Sequence, residues 1–267
     1  MKFKIDHDLH IHSYLSVCSQ IPEQNKENIF KYAKDNNLRQ ICITDHYWDS
    51  AIDDVSNWYS TQNFEHVSKI LPLPQDEETE FLFGVETEMD KNFRIGIPKK
   101  RFNDFDFVII PTTHLHMGGI TIDAEDRKDN NKIAKAWVDR LDALLNLDIP
   151  FKKTGIAHLA CKLLNNKSHQ DYLQTLELLK REDLERLFSK AATLGCGIEI
   201  NQSDMDFTDD EADVVLRMFR IAKNCGCKFY LGSDAHSPEK FKQSKEVFER
   251  AINLLGLTES DKFHIEK

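Results

Sequence analysis

Short apolar runs that end in histidine, aspartate or glutamate recur along the chain, and they constrain its fold more than any other feature. Runs with β-strand character lie near residues 5–10, 40–44, 81–86, 106–112, 154–158, 197–201 and 228–233. Helical patterns separate most of them, at about residues 23–36, 126–146, 169–194, 208–225 and 238–255. Alternation of short strands with helices is typical of parallel βα units. The sequence therefore predicts a parallel α/β fold.

The polar residues distinguish a barrel from an open, doubly wound sheet. Nearly every predicted strand carries its histidine, aspartate or glutamate at its C-terminal end. In a (β/α) barrel all of those ends surround one mouth, where active sites of such folds are built, whereas an open sheet spreads them along an edge. We therefore expect a barrel-like fold whose mouth brings together His10, His12, His46, Glu86, His158, Asp234 and His236.

Size and composition limit the remaining possibilities. The 267 residues suffice for one large α/β domain, and we expect a single domain over residues 1–267, with an inserted excursion at about 47–80 that rims the mouth. The net charge of −10 disfavours long nucleic acids as partners. No apolar run is long enough for a membrane span or a signal peptide, which predicts a cytoplasmic location without membrane association. The sequence does not indicate an oligomeric state.

The spacing of the first histidine pair points to metal binding. His10 and His12 lie two residues apart in a strand-like segment, so both imidazoles project to the same side and can bind one ion. Imidazole and carboxylate ligands without a thiolate majority suit Zn²⁺, Mn²⁺ or Fe²⁺. Seven candidate ligands exceed those of one catalytic zinc, so we expect at least two ions, bridged by a carboxylate such as Glu86 or Asp234. Hydrolysis of phosphate esters is the reaction that such centres favour.

Six segments, in order along the chain, resemble the motifs of the polymerase and histidinol phosphatase (PHP) superfamily, in particular its histidinol phosphatase-like members. The segments are DLHIHS (8–13), ITDH (43–46), GVE (84–86), the histidine that follows DFVII (106–110), IAH (156–158) and GSDAH (232–236). The similarity runs from residue 6 to about residue 240. It implies a distorted (β/α)7 TIM-like barrel with two or three divalent ions at its mouth, most simply zinc or manganese, with iron as an alternative.

The resemblance also implies a role for each matched position. The first ion would be held by His10, His12 and Asp234. Glu86 would bridge this ion to a second one. The second ion would be completed by His114 and His158, and His46 and His236 would hold a third.

Three of these ligands, Glu86, Asp234 and His236, are expected to serve in catalysis as well. His116, two positions after His114, is an alternative ligand of the second ion or a substrate contact.

One position departs from the superfamily pattern. The histidinol phosphatase-like members carry a further histidine six residues after the position of His12, where this chain has Cys18. A thiolate can bind zinc, so Cys18 is a candidate ligand of a third ion. The alternative is a buried thiol beside a site that holds two ions. The sequence thus leaves the number of ions at two or three.

A phosphate ester also needs positive charge from the protein, and Lys162, Arg127 and Arg94 are the candidates near predicted strand ends. The expected function is hydrolysis of a small phosphate monoester, such as histidinol phosphate, by attack of a metal-activated hydroxide on phosphorus. Two alternatives remain open. One is a phosphodiesterase or exonuclease acting on nucleotides or short oligonucleotides, and the other is a metal-binding module without catalytic activity.

Overall fold

The structure, a computed structural model, describes residues 1–53 and 56–266. Seven strands form its central sheet: β1 (His7–Ile11), β2 (Gln40–Tyr47), β3 (Glu80–Thr87), β4 (Phe107–Pro111), β5 (Thr154–Ala157), β6 (Gly197–Asn201) and β7 (Lys228–Gly232). Each strand pairs in parallel with the next one along the chain. The predicted parallel α/β fold is confirmed.

The sheet curls until its first and last strands nearly meet. The backbone N–H of Asp234, just past β7, donates to the carbonyl oxygen of His10 at 2.7 Å, and Ile11 forms a parallel bridge with Ala235. The pairing of β1 with β2 shifts register between Asp8 and Ile11, which distorts the barrel at this strand. The expectation of a distorted, TIM-like (β/α)7 barrel is therefore confirmed.

The helices of the described residues are α1 (Lys26–Asp35), α2 (Phe64–Val67), α3 (Asn130–Leu144), α4 (His169–Leu178), α5 (Arg181–Leu194), α6 (Ala212–Asn224) and α7 (Phe241–Leu255). The continuous helix predicted over 169–194 is wrong, because Leu179 and Lys180 are extended and separate α4 from α5. The guanidinium of Arg217 stabilises this break by donating to the carbonyl oxygens of Leu176 and Leu179, at 2.6 and 2.7 Å.

The barrel interior changes from apolar to polar along its axis. Below the polar mouth, a group of buried apolar side chains packs together: Leu9, Cys42, Leu82, Phe107, Ile109, Ala157, Tyr230 and Phe263. Gly155 makes room for this packing, since a Cβ atom there would lie 2.5 Å from the hydroxyl oxygen of Tyr230. Phe263 closes the floor of the barrel, where its N–H donates to the carbonyl oxygen of Phe229 at 2.8 Å. The polar side chains are left at the opposite end.

The excursion between β2 and β3 contains α2 and otherwise irregular backbone, and residues 54 and 55 of it lie outside the described part of the chain. That residues 1–267 form a single domain stays a prediction. Within the described ranges, none of the helices combines the length and apolar character that crossing a membrane requires.

Candidate metal centre

All of the predicted metal ligands meet at the C-terminal ends of the strands. They form three groups, within each of which the potential ligand atoms lie no more than 4.8 Å from one another. The first group is His10, His12 and Asp234, the second is Glu86, His114 and His158, and the third is His12, Cys18, His46 and His236. The side chains come from β1, β2, β3 and the loops that follow β1, β4, β5 and β7. That these residues bind metal ions stays a prediction.

Two carboxylates determine which nitrogen of an imidazole faces the centre. Glu199, from β6, places its Oε1 atom 2.8 Å from Nδ1 of His10. Glu88, just past β3, places its Oε2 atom 2.6 Å from Nδ1 of His114. A carboxylate in this position accepts a hydrogen bond from Nδ1–H, so the Nε2 atom of each neutral ring is left with a lone pair.

Two further imidazoles are fixed in the same way by neutral acceptors. The hydroxyl of Thr113 donates to the carbonyl oxygen of His158 and therefore accepts a hydrogen bond from Nδ1 of the same residue, at 2.7 Å. Nδ1 of His236 donates to the carbonyl oxygen of Asp234 at 2.7 Å. In both rings the Nε2 lone pair is again the free one. Four imidazoles thus present the nitrogen that a metal ion needs.

Several of these acceptor atoms face one another without a donor between them. Nε2 of His10 lies 3.2 Å from Nε2 of His12, and Nε2 of His158 lies 3.0 Å from Oε1 of Glu86. Nδ1 of His46 is buried and lies 3.1 Å from Oε2 of Glu86, yet it makes no hydrogen bond with any described residue. Converging lone pairs of this kind require a cation or added protons. The residues present therefore fit divalent metal ions.

Glu86 has the geometry of a bridging ligand. Its Oε1 atom faces His158 of the second group, whereas its Oε2 atom lies 3.3 Å from Nε2 of His12 and 3.6 Å from Nε2 of His10, in the first group. The side chain is 2% exposed. One carboxylate oxygen is thus directed to each of two neighbouring groups, as the sequence predicts for a carboxylate shared by two ions.

Opposite charges in the buried centre shift the pKa values of Glu86 and His12 toward their charged forms. Burial by itself disfavours ionisation of Glu86, but the surrounding imidazoles, His46 and His10 first, hold its pKa well below the usual value. Burial also lowers the pKa of His12, yet Asp234 and Glu86 outweigh it and raise that pKa to about 9. The raised pKa of His12 favours its doubly protonated ring when no cation is bound.

Some supporting residues escape prediction from the sequence. Glu88 joins His114 to Arg140, whose guanidinium donates to Oε1 of Glu88 at 2.8 Å while both side chains are fully or almost fully buried. Tyr59 of the excursion donates to Oε2 of Glu88 at 3.3 Å. The sequence signal for Glu88 is its position two residues after Glu86, just past the end of β3. Arg140 carries no such signal.

Two of the candidate ligands have an unfavourable backbone conformation. His158 has a φ of 27° and Asp234 a φ of 51°, in the left-handed region that non-glycine residues rarely adopt. His158 directly follows β5 and Asp234 lies two residues after β7, where the chain turns over the mouth. Such strain persists only where surrounding contacts impose it and is concentrated at functional sites.

A cavity of about 680 Å³ opens directly above the three groups. Its lining includes candidate ligands from every group, an apolar wall formed by Trp58, Met117, Ile120 and Leu163, and two of the predicted substrate contacts, His116 and Arg127. Burial lowers the pKa of His116 to about 4, so its ring is neutral near pH 7.

The other two predicted substrate contacts lie elsewhere. Lys162 lines a second, adjoining cavity of about 590 Å³ and pairs with Asp206 at 2.7 Å. Arg94 pairs with Asp90 at 2.7 Å and is absent from the linings of both cavities, as far as the described residues define them. The structure thus brings His116 and Arg127 to the main cavity, and it does not bring Arg94 there.

The chain is similar to known proteins in family and in fold. The chain is similar to histidinol phosphate phosphatase from Lactococcus lactis subsp. lactis, solved with zinc, L-histidinol and phosphate, with 18% identity, a TM-score of 0.53 and coverage of 92% of this chain and 93% of that one. It is also similar to the putative histidinol phosphatase of Listeria monocytogenes, with 13% identity, a TM-score of 0.63 and coverage of 91% and 99%. No curated protein matches the chain.

At such identities these likenesses establish the fold alone. A family model described as the PHP domain matches residues 8–203, which is most of the chain and includes five of the six motif segments. The chain therefore belongs to the PHP domain family and is a metal-dependent phosphoesterase.

Proposed function

We propose that this chain hydrolyses a small phosphate monoester in the cavity above the three ligand groups. The observation that carries the proposal is the composition of that cavity, whose lining joins candidate metal ligands to the apolar wall of Trp58, Met117, Ile120 and Leu163. A volume of about 680 Å³ accommodates a small organic molecule. The phosphate would lie against the ligands, and the organic group would pack against the apolar wall.

Divalent ions bound at the centre would activate a water molecule and neutralise the charge of the phosphate. Asp234 and Glu86 would hold those ions in place, with His236 beside them at the cavity surface. Arg127, whose guanidinium is held by Asn166, is positioned to donate to a phosphate oxygen. His116, as a neutral imidazole, could exchange a hydrogen bond with the substrate without adding charge.

The metals proposed are two or three ions of zinc or manganese, with iron as an alternative. The mixture of imidazole and carboxylate ligands suits each of them. Zinc was bound in the Lactococcus protein, and the same structure contains L-histidinol and phosphate, which makes histidinol phosphate a candidate substrate here. Of the three candidate cations, Arg127 is the preferred phosphate contact because it lines the main cavity, whereas Lys162 lines the second one.

A phosphodiesterase acting on nucleotides or short oligonucleotides is the second candidate. The observation that favours it is the second cavity, which shares His158, Asp234 and His236 with the first. A diester bound at the centre could extend one substituent into each cavity, whereas a monoester needs only one. A metal-binding module without catalytic activity is disfavoured, because all of the predicted ligands are present in the three groups.

The test is phosphate release from a panel of esters by protein loaded with Zn²⁺ or Mn²⁺. The panel should contain histidinol phosphate, other small monoesters and matched diesters, and bound metal should be measured in every sample. We expect monoesters to be hydrolysed by the parent chain, and activity to be lost in Asp234→Ala. His264→Ala changes an exposed histidine away from the centre and serves as the control.

Hydrolysis restricted to diesters would replace the first candidate with the second. A protein that retains its full metal complement and hydrolyses no ester of the panel would contradict both.

A further inference from the structure

Cys18 differs from every other cysteine of the chain. All six are free thiols, but Cys18 is exposed, whereas Cys42, Cys161, Cys196 and Cys227 are buried and Cys225 is half-buried. Its Sγ atom lies within 4.8 Å of potential ligand atoms of three histidines, and it lines the main cavity. A thiol kept at a cavity surface among imidazoles is not explained by packing.

The loop that carries Cys18 is fixed to the segments that carry the neighbouring histidines. The hydroxyl of Ser16 accepts a hydrogen bond from the backbone N–H of His46 at 3.2 Å and lies 2.9 Å from Nδ1 of His12. On the other side of Cys18, the hydroxyl of Ser19 donates to the carbonyl oxygen of His236 at 2.8 Å. Ser16 and Ser19 are both buried. The position of the thiol relative to the imidazoles is therefore built into the fold.

His12 cannot serve this group and the first group at once. Its Nε2 atom lies 3.1 Å from Oδ1 of Asp234 and 3.2 Å from Nε2 of His10, and its Nδ1 atom faces the hydroxyl of Ser16. Because one ring nitrogen binds one ion, an ion in the first group occupies His12. The ligands left in the third group are Cys18, His46 and His236.

The two remaining imidazoles are prepared for a cation. Nδ1 of His236 is engaged with the carbonyl oxygen of Asp234, which leaves its Nε2 lone pair free. His46 is 5% exposed, and its buried Nδ1 atom has no hydrogen-bond partner among the described residues. Nδ1 of His46 lies 3.1 Å from Oε2 of Glu86. One potential ligand atom each from Cys18, His46 and His236 lies within 4.8 Å of the others.

We propose that Cys18, His46 and His236 form a thiolate-containing zinc site, with a fourth coordination position that opens into the cavity. Three protein ligands with an open position are typical of catalytic zinc, and a thiolate favours zinc over manganese or magnesium. On binding, the bond between sulfur and hydrogen is exchanged for one between sulfur and zinc, and the proton is released to solvent. The inference rests on the proposed function in one respect, namely that the centre binds metal ions.

Cobalt(II) makes this site visible without reference to turnover. Protein stripped of metal should be titrated with Co²⁺, with the near-ultraviolet absorption of a thiolate–cobalt bond and the number of bound ions measured together. We expect this band in the parent chain. In Cys18→Ser the band should disappear together with one bound ion, and in Cys18→His the ion should be kept without the band. Cys225→Ser, which removes a half-buried thiol, should retain both.

Alkylation provides the second measurement. Iodoacetamide should label Cys18 rapidly in the stripped protein, and stoichiometric Zn²⁺ should suppress this labelling. His236→Ala should lose the protection while retaining its circular dichroism spectrum.

A parent chain that binds cobalt without the thiolate band, or in which zinc leaves the labelling of Cys18 unchanged, would overturn the proposal. The band together with failure to hydrolyse any ester would contradict the proposed function and leave this site established. Ester hydrolysis without the band would do the reverse.

Discussion

At the scale of single residues, the carboxylate of Glu199 controls two candidate ligands at once. Its Oε1 atom faces Nδ1 of His10 at 2.8 Å, and its Oε2 atom accepts the backbone N–H of His158 at 2.6 Å. One buried side chain therefore sets the ring orientation of a ligand in the first group and the strained backbone of a ligand in the second. The sequence places Glu199 within a predicted strand, but its hydrogen bonds to two distant segments depend on the closed barrel and leave no local signal.

Glu199→Gln tests this positioning role. The amide keeps one acceptor oxygen but loses the negative charge and one of the two acceptors, so His10 or His158 loses its partner. Such changes in residues that orient metal ligands weaken metal affinity by about 10–100-fold. Competition with a chelator should measure this loss, with the exposed Glu177→Gln as the matched control. Unchanged affinity in a folded Glu199→Gln variant would contradict the assignment.

His12 gives the metal-free and metal-loaded proteins opposite responses to pH. Burial lowers its pKa, but Asp234 and Glu86 raise it from 6.5 to about 9. The charged ring thus stabilises the metal-free fold fully below pH 6.5, and this stabilisation is lost as the pH rises through about 9. Metal binding requires the neutral ring, so the loaded protein should gain stability over the same range. Urea unfolding with and without a chelator measures both trends. A metal-free protein that becomes more stable over this range would contradict the prediction.

At the scale of elements, the close approach of β7 to β6 leaves room only for glycine at position 232. A Cβ atom there would lie 1.8 Å from Oε1 of Glu199 and 2.7 Å from Cβ of His10. Gly232 is part of the GSDAH segment, so this requirement and the candidate ligands Asp234 and His236 belong to one short stretch of chain. The mouth is thus built on direct contact between strands.

Gly232→Ala should destabilise the fold by about 1–3 kcal/mol, because the added methyl group displaces Glu199 and His10 from a packed site. It should also weaken metal binding, since both displaced side chains belong to the centre. Gly118→Ala is the control, because a Cβ atom there meets its neighbours at an ordinary 3.4 Å. Urea unfolding and chelator competition measure the two effects. Equal stability of the two variants would argue against the close packing at position 232.

The strands could be predicted from the sequence more accurately than the helices. The candidate metal ligands could be predicted more completely than the residues that orient them. Apolar runs mark the strands because both faces of a parallel sheet are buried. The break at Leu179 depends instead on Arg217, nearly forty positions away, and no local pattern reveals it. The burial of Glu88 with Arg140 depends in the same way on a tertiary contact. Ligands are recognisable because their chemical type and their place at strand ends are local properties.

At the scale of the whole molecule, the barrel has an apolar floor and a polar mouth. Phe263, near the end of the chain, packs in the floor against Phe107 and Tyr230, with ring centroids 5.9 and 6.1 Å away. Tyr230 lies on the same strand as Gly232, two residues before it. The floor therefore supports the strand from which the last ligands extend.

Phe263→Ala should lower the free energy of unfolding by about 3–5 kcal/mol, because it removes an aromatic ring from a closed interior. The centre lies at the other end of the barrel, so metal affinity should change little as long as the protein is folded. Phe93→Ala is the control, since Phe93 is 40% exposed and Phe263 only 5%. Unfolding in urea measures the difference. A cost no larger than that of Phe93→Ala would show that the floor does not need this ring.

Because β1 meets the segment after β7, an ion bound by the first ligand group would also join the two edges of the sheet. His10 and His12 belong to β1 and the loop after it, and Asp234 follows β7; backbone and side-chain hydrogen bonds close the seam between these segments. An ion bound by these three residues would act as a reversible cross-link between the first and the last strand of the barrel, and it would close a long ring of chain. Ring closure of this length restricts the unfolded ensemble, and binding that is specific to the folded state adds to it. The same ion that would activate a water molecule for reaction would then also stabilise the closed barrel.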